Sequence, residues 1–210
     1  MFDSSLELIQ NLQGNGKKVI CYFSAGSYED FRSDADQFDP AHIGQPLDGF
    51  ANERWLDIRA TAVRDIMKAR LDLAQQKGCD AVEPDNVDGY INTNGLNLNY
   101  DDQIEYNLFL AREAHARGLS IGLKNDLYQI HELVNHFDFA VNEQCFEFGD
   151  CNYLLPFVNQ GKAVFNVEYD PRFIDNNGII EELCHDADSL HFSTLVLPYQ
   201  LDDSFRYSCN

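Results

Sequence analysis

Positive charge is scarce in this chain. Fifteen Lys and Arg residues face 35 Asp and Glu, a formal net charge of −20. Such a surface repels nucleic acid, whose binding depends on neutralised phosphates. It attracts cationic ligands, unless the acidity serves solubility alone. No apolar run approaches the ~18–20 residues of a membrane span. The start, "MFDSSLELIQ", has no basic stretch followed by an apolar one, so it does not read as a secretory signal. No Pro/Gly/Ser-rich tract interrupts the 210 residues, which are read as one domain, 1–210, with a sizeable core. "FSAGSYED", after the first apolar strand, lacks both Gly-rich phosphate-loop patterns, which argues against a nucleotide-binding open sheet. Ser24 and Ser27 sit in no Gly-x-Ser-x-Gly elbow, so a serine hydrolase is disfavoured. The six histidines are scattered rather than set at zinc-ligand spacing, and neither a metal nor another cofactor is expected.

What is present is a repeated unit. "NGKKVICYF", "KGCDAVEPD", "RGLSIGLKN" and "QGKAVFNVE" each follow a helical pattern and stop it at Gly16, Gly78, Gly118 or Gly161. Each then starts an apolar strand. Helical stripes are expected at Leu6–Ile9–Leu12 with Ser4 and Glu7 as a capping box, and at Val63, Ile66, Met67, Arg70, Leu71 and Ala74. Two more are expected at Ile104, Leu108, Ala111 and His115 behind Asp101 and Asp102, and at Leu127, Ile130, Leu133, Val134 and Phe137. Strands fall near 19–24, 80–85, 119–124, 138–143, 163–169 and 192–197. Strands alternating with helices predict an α/β fold, of (β/α)8 TIM-barrel type, with about six of the eight strands visible. Of the six cysteines, Cys145–Cys151 and Cys184–Cys209 are the candidate disulfides, whereas Cys21 and Cys79 lie in apolar strand patterns as buried thiols. Two disulfides would place the chain in an oxidising compartment.

Polar side chains gather where the strands end: Ser24; Asp85, Asn86 and Asp88; Asn125 and Asp126; Glu143 and Gln144; Glu168 and Tyr169. In an α/β barrel the site lies at those ends. Period-two alternation puts Ala81, Glu83 and Asp85 on one strand face, and Phe139, Val141 and Glu143 on one face of another. Two carboxylates, Asp85 and Glu143, are therefore expected at one pocket, able to cleave a glycosidic bond as nucleophile or base and as acid/base. Tyr22, Tyr28, Tyr90, Tyr169 and Trp55 offer rings for sugar faces, or belong to the core and rim. Glu83 reads as a supporting carboxylate paired with Lys124 or Arg54, and Lys124 as its orienter or a substrate contact. Asp88 shapes the loop or holds a substrate amine. Asp57, beside Arg59 in "RWLDIR", reads as a local ion pair and is kept among the binding candidates. An alternative chemistry has Glu83, Asp85, Asp88 and Asp126 as oxygen ligands of a divalent metal.

"VICYFSAGSYEDFR", "ERWLDIR", "GCDAVEPDNVDGY", "GLSIGLKND" and "FAVNEQCFEFGDC" together resemble glycoside hydrolase family 114, over about Phe2 to Tyr169. The resemblance implies a TIM barrel and endo-hydrolysis of α-1,4-linked galactosamine in a partly deacetylated, cationic polysaccharide. It implies a secreted enzyme without a metal, and carries the two catalytic carboxylates onto Asp85 in "EPDNVD" and Glu143 in "VNEQC". A monomer is expected, with a galactosamine-rich polysaccharide as partner and neither nucleic acid nor membrane. The family resemblance also implies two further strands before "MFDSSLELIQ", so the chain reads as shortened at its N-terminus. A non-catalytic carbohydrate-binding remnant of such a barrel is the alternative function.

Overall fold

Each recurring helix stops in the same way. The computed structural model describes residues 1–174 and 178–209, which form two compact units: residues 1–126 with 135–137, and residues 127–134 with 138 onward. In the first unit, helix α1 (Leu6–Gly14) is capped by Ser5, whose side chain accepts from Leu8 N, one residue later than the expected cap. Strand β1 (Ile20–Ser24) follows, then β2 (Ser27–Glu29), β3 (Ile43–Leu47), β4 (Phe50–Leu56), helix α2 (Thr61–Gln76), β5 (Ala81–Asp85), α3 (Tyr100–Ala116) and β6 (Ser120–Lys124). Strands β1, β5 and β6 lie side by side and parallel, with Tyr22 opposite Glu83, Ser24 opposite Asp85 and Val82 opposite Ile121. Strands β2, β4 and β3 make a separate antiparallel sheet in that order.

Glycine makes the stops sharp. Gly78 has φ +75°, a left-handed conformation that places its neighbours to close the helix end. The Cys79 N–H reaches Ala74 O at 3.1 Å and the Gly78 N–H reaches Gln75 O at 2.9 Å, satisfying carbonyls that would otherwise be orphaned. The same six-to-one bond runs from Lys17 to Leu12, Leu119 to Ala114 and Lys162 to Phe157. The chain thus turns directly from helix into parallel strand four times.

Burial follows the expected stripe on α2: Val63, Ile66, Met67, Arg70, Leu71 and Ala74 all face inward. Arg70 is the anomaly, a charge 1% exposed. It is tolerated because every side of the guanidinium is used. Nε and Nη2 donate to Asp34 at 2.8 and 2.9 Å, and Nη1 donates to Ser24 O at 2.6 Å. Glu29 Oε2 stands 3.8 Å from Nη1. A paired, fully bonded ion of this kind adds little net stability, but removing one partner strands the other charges. Helix α3 departs from expectation: its buried face is Gln103, Tyr106, Asn107, Phe109, Leu110, Ala111 and Ala114, while His115 is exposed. Its cap is Asn99, in a capping box with Asp102, rather than Asp101 or Asp102. Cys21 and Cys79 also correct the expectation of free thiols: they are bonded to each other, Cα to Cα 6.0 Å.

The second unit contains α4 (Ile130–Leu133), β7 (Phe139–Glu143), α5 (Cys145–Phe148), α6 (Leu155–Asn159), β8 (Val164–Glu168), α7 (Ile179–Ser189), β9 (Ser193–Val196) and β10 (Tyr207–Ser208). Strands β7, β8 and β9 are parallel, and β10 closes antiparallel on β9. The expected helix through Leu127–Phe137 is reduced to α4 after a 3-10 turn at Leu127–Gln129. Both candidate disulfides are formed, Cys145–Cys151 and Cys184–Cys209. The three loops close over 6, 25 and 58 residues, about 2, 3.5 and 4 kcal/mol in the chain-entropy account. Three disulfides match an oxidising compartment. The six expected strands are found to within a residue. Among the described residues no helix is long and apolar enough to cross a membrane.

Asp80 locks the entry to β5. Its carboxylate accepts from Gln13 Nε2, Lys18 Nζ and Val19 N at 2.9, 2.7 and 2.9 Å. These bonds, the Gln13 amide first, pull its pKa down to about 2. A folded-state pKa below the unfolded one stabilises above the ordinary carboxylate range, and that stabilisation is lost as pH falls toward 2. Asp80→Asn is therefore expected to lower the free energy of unfolding by about 1 kcal/mol at pH 7. In urea titrations its deficit against the wild type should shrink steadily between pH 4 and pH 2; a pH-independent deficit contradicts this. For Arg70→Ala the expected loss is about 3–5 kcal/mol, against about 1 kcal/mol for Gly78→Ala, both read from denaturant midpoints.

Candidate active site

The carboxylate of Asp85 is held from three directions at the end of β5. Tyr22 OH donates to Oδ2 at 3.0 Å, and Asn86 N donates to Oδ1 at 2.8 Å. Lys124 Nζ lies 3.2 Å from Oδ1 and 3.1 Å from Glu83 Oε1. Register explains the meeting: Tyr22 is on the strand beside β5, and Lys124 ends the strand on its other side. Burial and the Asp85 charge push the Tyr22 hydroxyl well above its usual pKa, so it stays a donor.

The backbone behind Asp85 is equally constrained. Asp85 O accepts from Ala25 N and Gly26 N at 2.9 and 3.1 Å. Asn86, with φ +60°, sends its amide to Ser24 Oγ and Ser27 Oγ at 2.9 and 3.2 Å. Ser27 Oγ donates on to Glu53 Oε2 at 2.7 Å; burial, foremost, raises the Glu53 pKa. Gly26 has no alternative here: a Cβ would sit 1.7 Å from Asn86 O. Ser24 is completely buried within this network, which corrects its expected role as a substrate contact; it positions Asn86 instead.

Asn125 and Asp126 follow β6 with φ +50° and +46°. Asp126 is buried and accepts from Asn107 Nδ2 at 2.8 Å. Asp88 occupies the N-cap position of the short 3-10 turn at Gly89–Ile91, where its side chain makes no capping hydrogen bond. Asp57 is occupied by the Arg59 fork, at 2.8 and 3.1 Å, and that bond lowers its pKa. Trp55 is core, 6% exposed, packed under Gly89. Among the described residues no group of three or more His, Cys, Asp and Glu side chains is placed to hold a metal ion.

In the second unit Glu143 ends β7, and Tyr169 OH donates to its Oε1 at 2.6 Å. Gln144, with φ +67°, leads into α5 and donates through Nε2 to Glu147 Oε2 at 2.7 Å. Glu168 corrects another expectation. It is 0% exposed and accepts from Phe146 N, Glu147 N and Asn166 Nδ2, anchoring the start of α5 rather than meeting substrate. Burial raises its pKa before those bonds lower it. An open cleft of about 570 Å³ borders Tyr169, Gln144 and Glu147 and is walled by Tyr199 and Phe205. Neither aromatic was anticipated, because "LPYQLDDSF" carries no periodic pattern. Three strands, β5, β6 and β7, are each followed at once by a non-glycine residue in the left-handed region: Asn86, Asn125 and Gln144. Such strained positions cluster at functional sites.

A carboxylate ends β5 in the first unit and another ends β7 in the second, and each accepts from a tyrosine hydroxyl. The model of glycoside-hydrolase family GH114 matches residues 1–210, and the chain belongs to that family. The crystal structure of Aspergillus fumigatus Ega3 in complex with galactosamine is 43% identical, covering 99% of this chain and 85% of that one, with a TM-score of 0.92. The glycoside hydrolase domain of PelA from Pseudomonas aeruginosa shares the fold at 16% identity, covering 96% of this chain and 86% of that one, with a TM-score of 0.72. The fold is thus the TIM-barrel type of this family. A search of curated proteins finds no match.

Gly26→Ala should shift Asn86 and with it Asp85. The expected outcome is a fall in kcat/KM on the order of 100-fold, from misplacement of one group by about an ångström. Gly14→Ala, whose Cβ meets nothing within 4 Å, should leave kcat/KM unchanged in the same assay.

Proposed function

We propose that this hydrolase cleaves internal α-1,4 linkages of galactosamine in a partly deacetylated, cationic polysaccharide, with residues 1–210 acting as one domain. One observation carries the reading: each of the two carboxylates singled out by motif accepts from a tyrosine hydroxyl, Tyr22 to Asp85 and Tyr169 to Glu143. The substrate class is supported by the galactosamine bound to a relative 43% identical, and by a net charge of −20 suited to an ammonium-bearing polymer.

In this reading Glu143 gives its proton to the departing glycosidic oxygen. Asp85, fixed by Tyr22, Asn86 N and Lys124, attacks the anomeric carbon or directs a water to it. Lys124 and Glu83 hold Asp85 in orientation. Asn86, Asp88, Asn125, Gln144 and Tyr169 are the side chains assigned to the sugar, and Asp57 and Asp126 have their carboxylates engaged by Arg59 and Asn107. The three disulfides support an extracellular site of action, and the enzyme is read as a monomer.

Release of reducing ends from deacetylated α-1,4-galactosamine polymer tests the assignment. Asp85→Asn and Glu143→Gln are each expected to lower kcat by about 10²–10⁴-fold while polymer binding persists. Wild-type turnover in either variant contradicts the proposal. NMR of the first product's anomeric configuration separates a retaining from an inverting outcome.

A further inference from the structure

The cleft of the second unit has a composition its neighbours do not explain. Two of its walls are the rings of Tyr169 and Tyr199, edge to face with centroids 5.7 Å apart, and a third is Phe205. Besides the tyrosine hydroxyls its polar lining is Gln144, Glu147, Asp170 and Gln200, and among the described residues no Lys, Arg or His borders it. Asp170 is already engaged: Oδ1 accepts from Arg172 N at 2.8 Å, and Oδ2 is 3.4 Å from Arg172 Nε. Glu147 has only the neutral Gln144 amide on Oε2. Its negative charge is close enough to raise the pKa of Glu168, and among the described residues lining the cleft no cation answers it.

The volume, about 570 Å³, lies within the range of small-ligand sites. Rings beside an uncompensated carboxylate suit a ligand with a flat apolar face and a positive group. A sugar with a free ammonium has both. The cleft is also directional, because Tyr169, one of its walls, is the residue that donates to Glu143.

We propose that this cleft is the subsite for the leaving-group side of the cut, and that Glu147 there selects a deacetylated, ammonium-bearing residue, with Tyr199 and Phe205 as the stacking surface. The leaving-group label rests on the assignment of Glu143 as the acid, since the proton goes to the oxygen that departs with that sugar. Glu147 makes the site discriminate: its carboxylate meets an ammonium, whereas an N-acetyl group brings no charge and leaves Glu147 unanswered.

The test measures binding of two α-1,4-linked galactosamine oligosaccharides, one fully deacetylated and one fully N-acetylated. The proteins are the full chain and its Glu147→Gln, Tyr199→Ala, Tyr199→Phe and Glu143→Gln variants, checked for folding by circular dichroism. Glu147→Gln is expected to weaken the deacetylated oligomer about tenfold and leave the acetylated one unchanged, which erases the preference. On polymer it should raise KM with kcat retained. Tyr199→Ala should weaken both oligomers, and Tyr199→Phe should restore them. A Glu147→Gln protein that still prefers the deacetylated oligomer overturns the selection. Oligomer binding unmoved in both Glu147→Gln and Tyr199→Ala overturns the subsite. Glu143→Gln separates the two readings: lost turnover with intact binding upholds Glu143 as the acid on which the leaving-group label rests. Retained turnover removes the leaving-group label, while the binding preference of Glu147 stands or falls on its own comparison.

Discussion

The bend at Ser24–Gly26 is the constraint on which the placement of Asp85 depends. Its three carbonyls each receive a donor from a different part of the first unit: Arg70 Nη1 to Ser24 O, Tyr106 OH to Ala25 O, and Leu56 N to Gly26 O, at 2.6, 2.6 and 2.9 Å. Its amides at Ala25 and Gly26 are spent on Asp85 O. Buried backbone groups must be paired, and here the pairing is also what aims the carboxylate. Helix α2, helix α3 and the β2–β4 sheet therefore converge on one turn. The buried Arg70 charge, unfavourable as a stabiliser, makes sense as a fixed strut for that turn.

A different device holds the start of α5. The helix is one turn long, too short to persist without tertiary support. Glu168 supplies that support from β8, accepting the Phe146 and Glu147 amides, and Cys145–Cys151 closes the loop beyond it. Gln144 is thereby kept in its left-handed conformation, and Glu147 is presented outward. Beneath lies a rung of Asn142, Asn166 and Thr194 on adjacent strands, all buried. Polar side chains in register across three parallel strands penalise a one-residue slip, because a slip would set them against apolar partners.

Much of this was legible in the sequence, and the failures have physical causes. The six strands stood out because glycine stops and apolar runs are local signals. The stripe on α2 was read residue for residue, Arg70 included. On α3 the reading rotated, since Gln103 and Asn107 are buried in bonds to each other, to Val87 O and to Asp126. Hydropathy cannot see partners that come from loops. The β3–β4 hairpin was missed although Asp48-Gly49 sits between Leu47 and Phe50, a recognised two-residue turn. Cys21–Cys79 spans 58 residues and has no local trace. Strand parity placed Asp85 and Glu143 at strand ends, where β5 and β7 stop, but it gave no sign that Ser24 and Glu168 are buried, because a polar residue at a strand end looks the same whether it faces solvent or the interior.

The bond between Cys184 and Cys209 does more than anchor β10. It closes a covalent ring that contains both Tyr199 and Phe205, the two rings walling the cleft. The stretch between them is the kind of exposed loop that proteases favour. One cut there opens the backbone but leaves both ends joined through sulfur, so each aromatic stays tethered to the unit. That ring makes nicking survivable where an open tail would be shed.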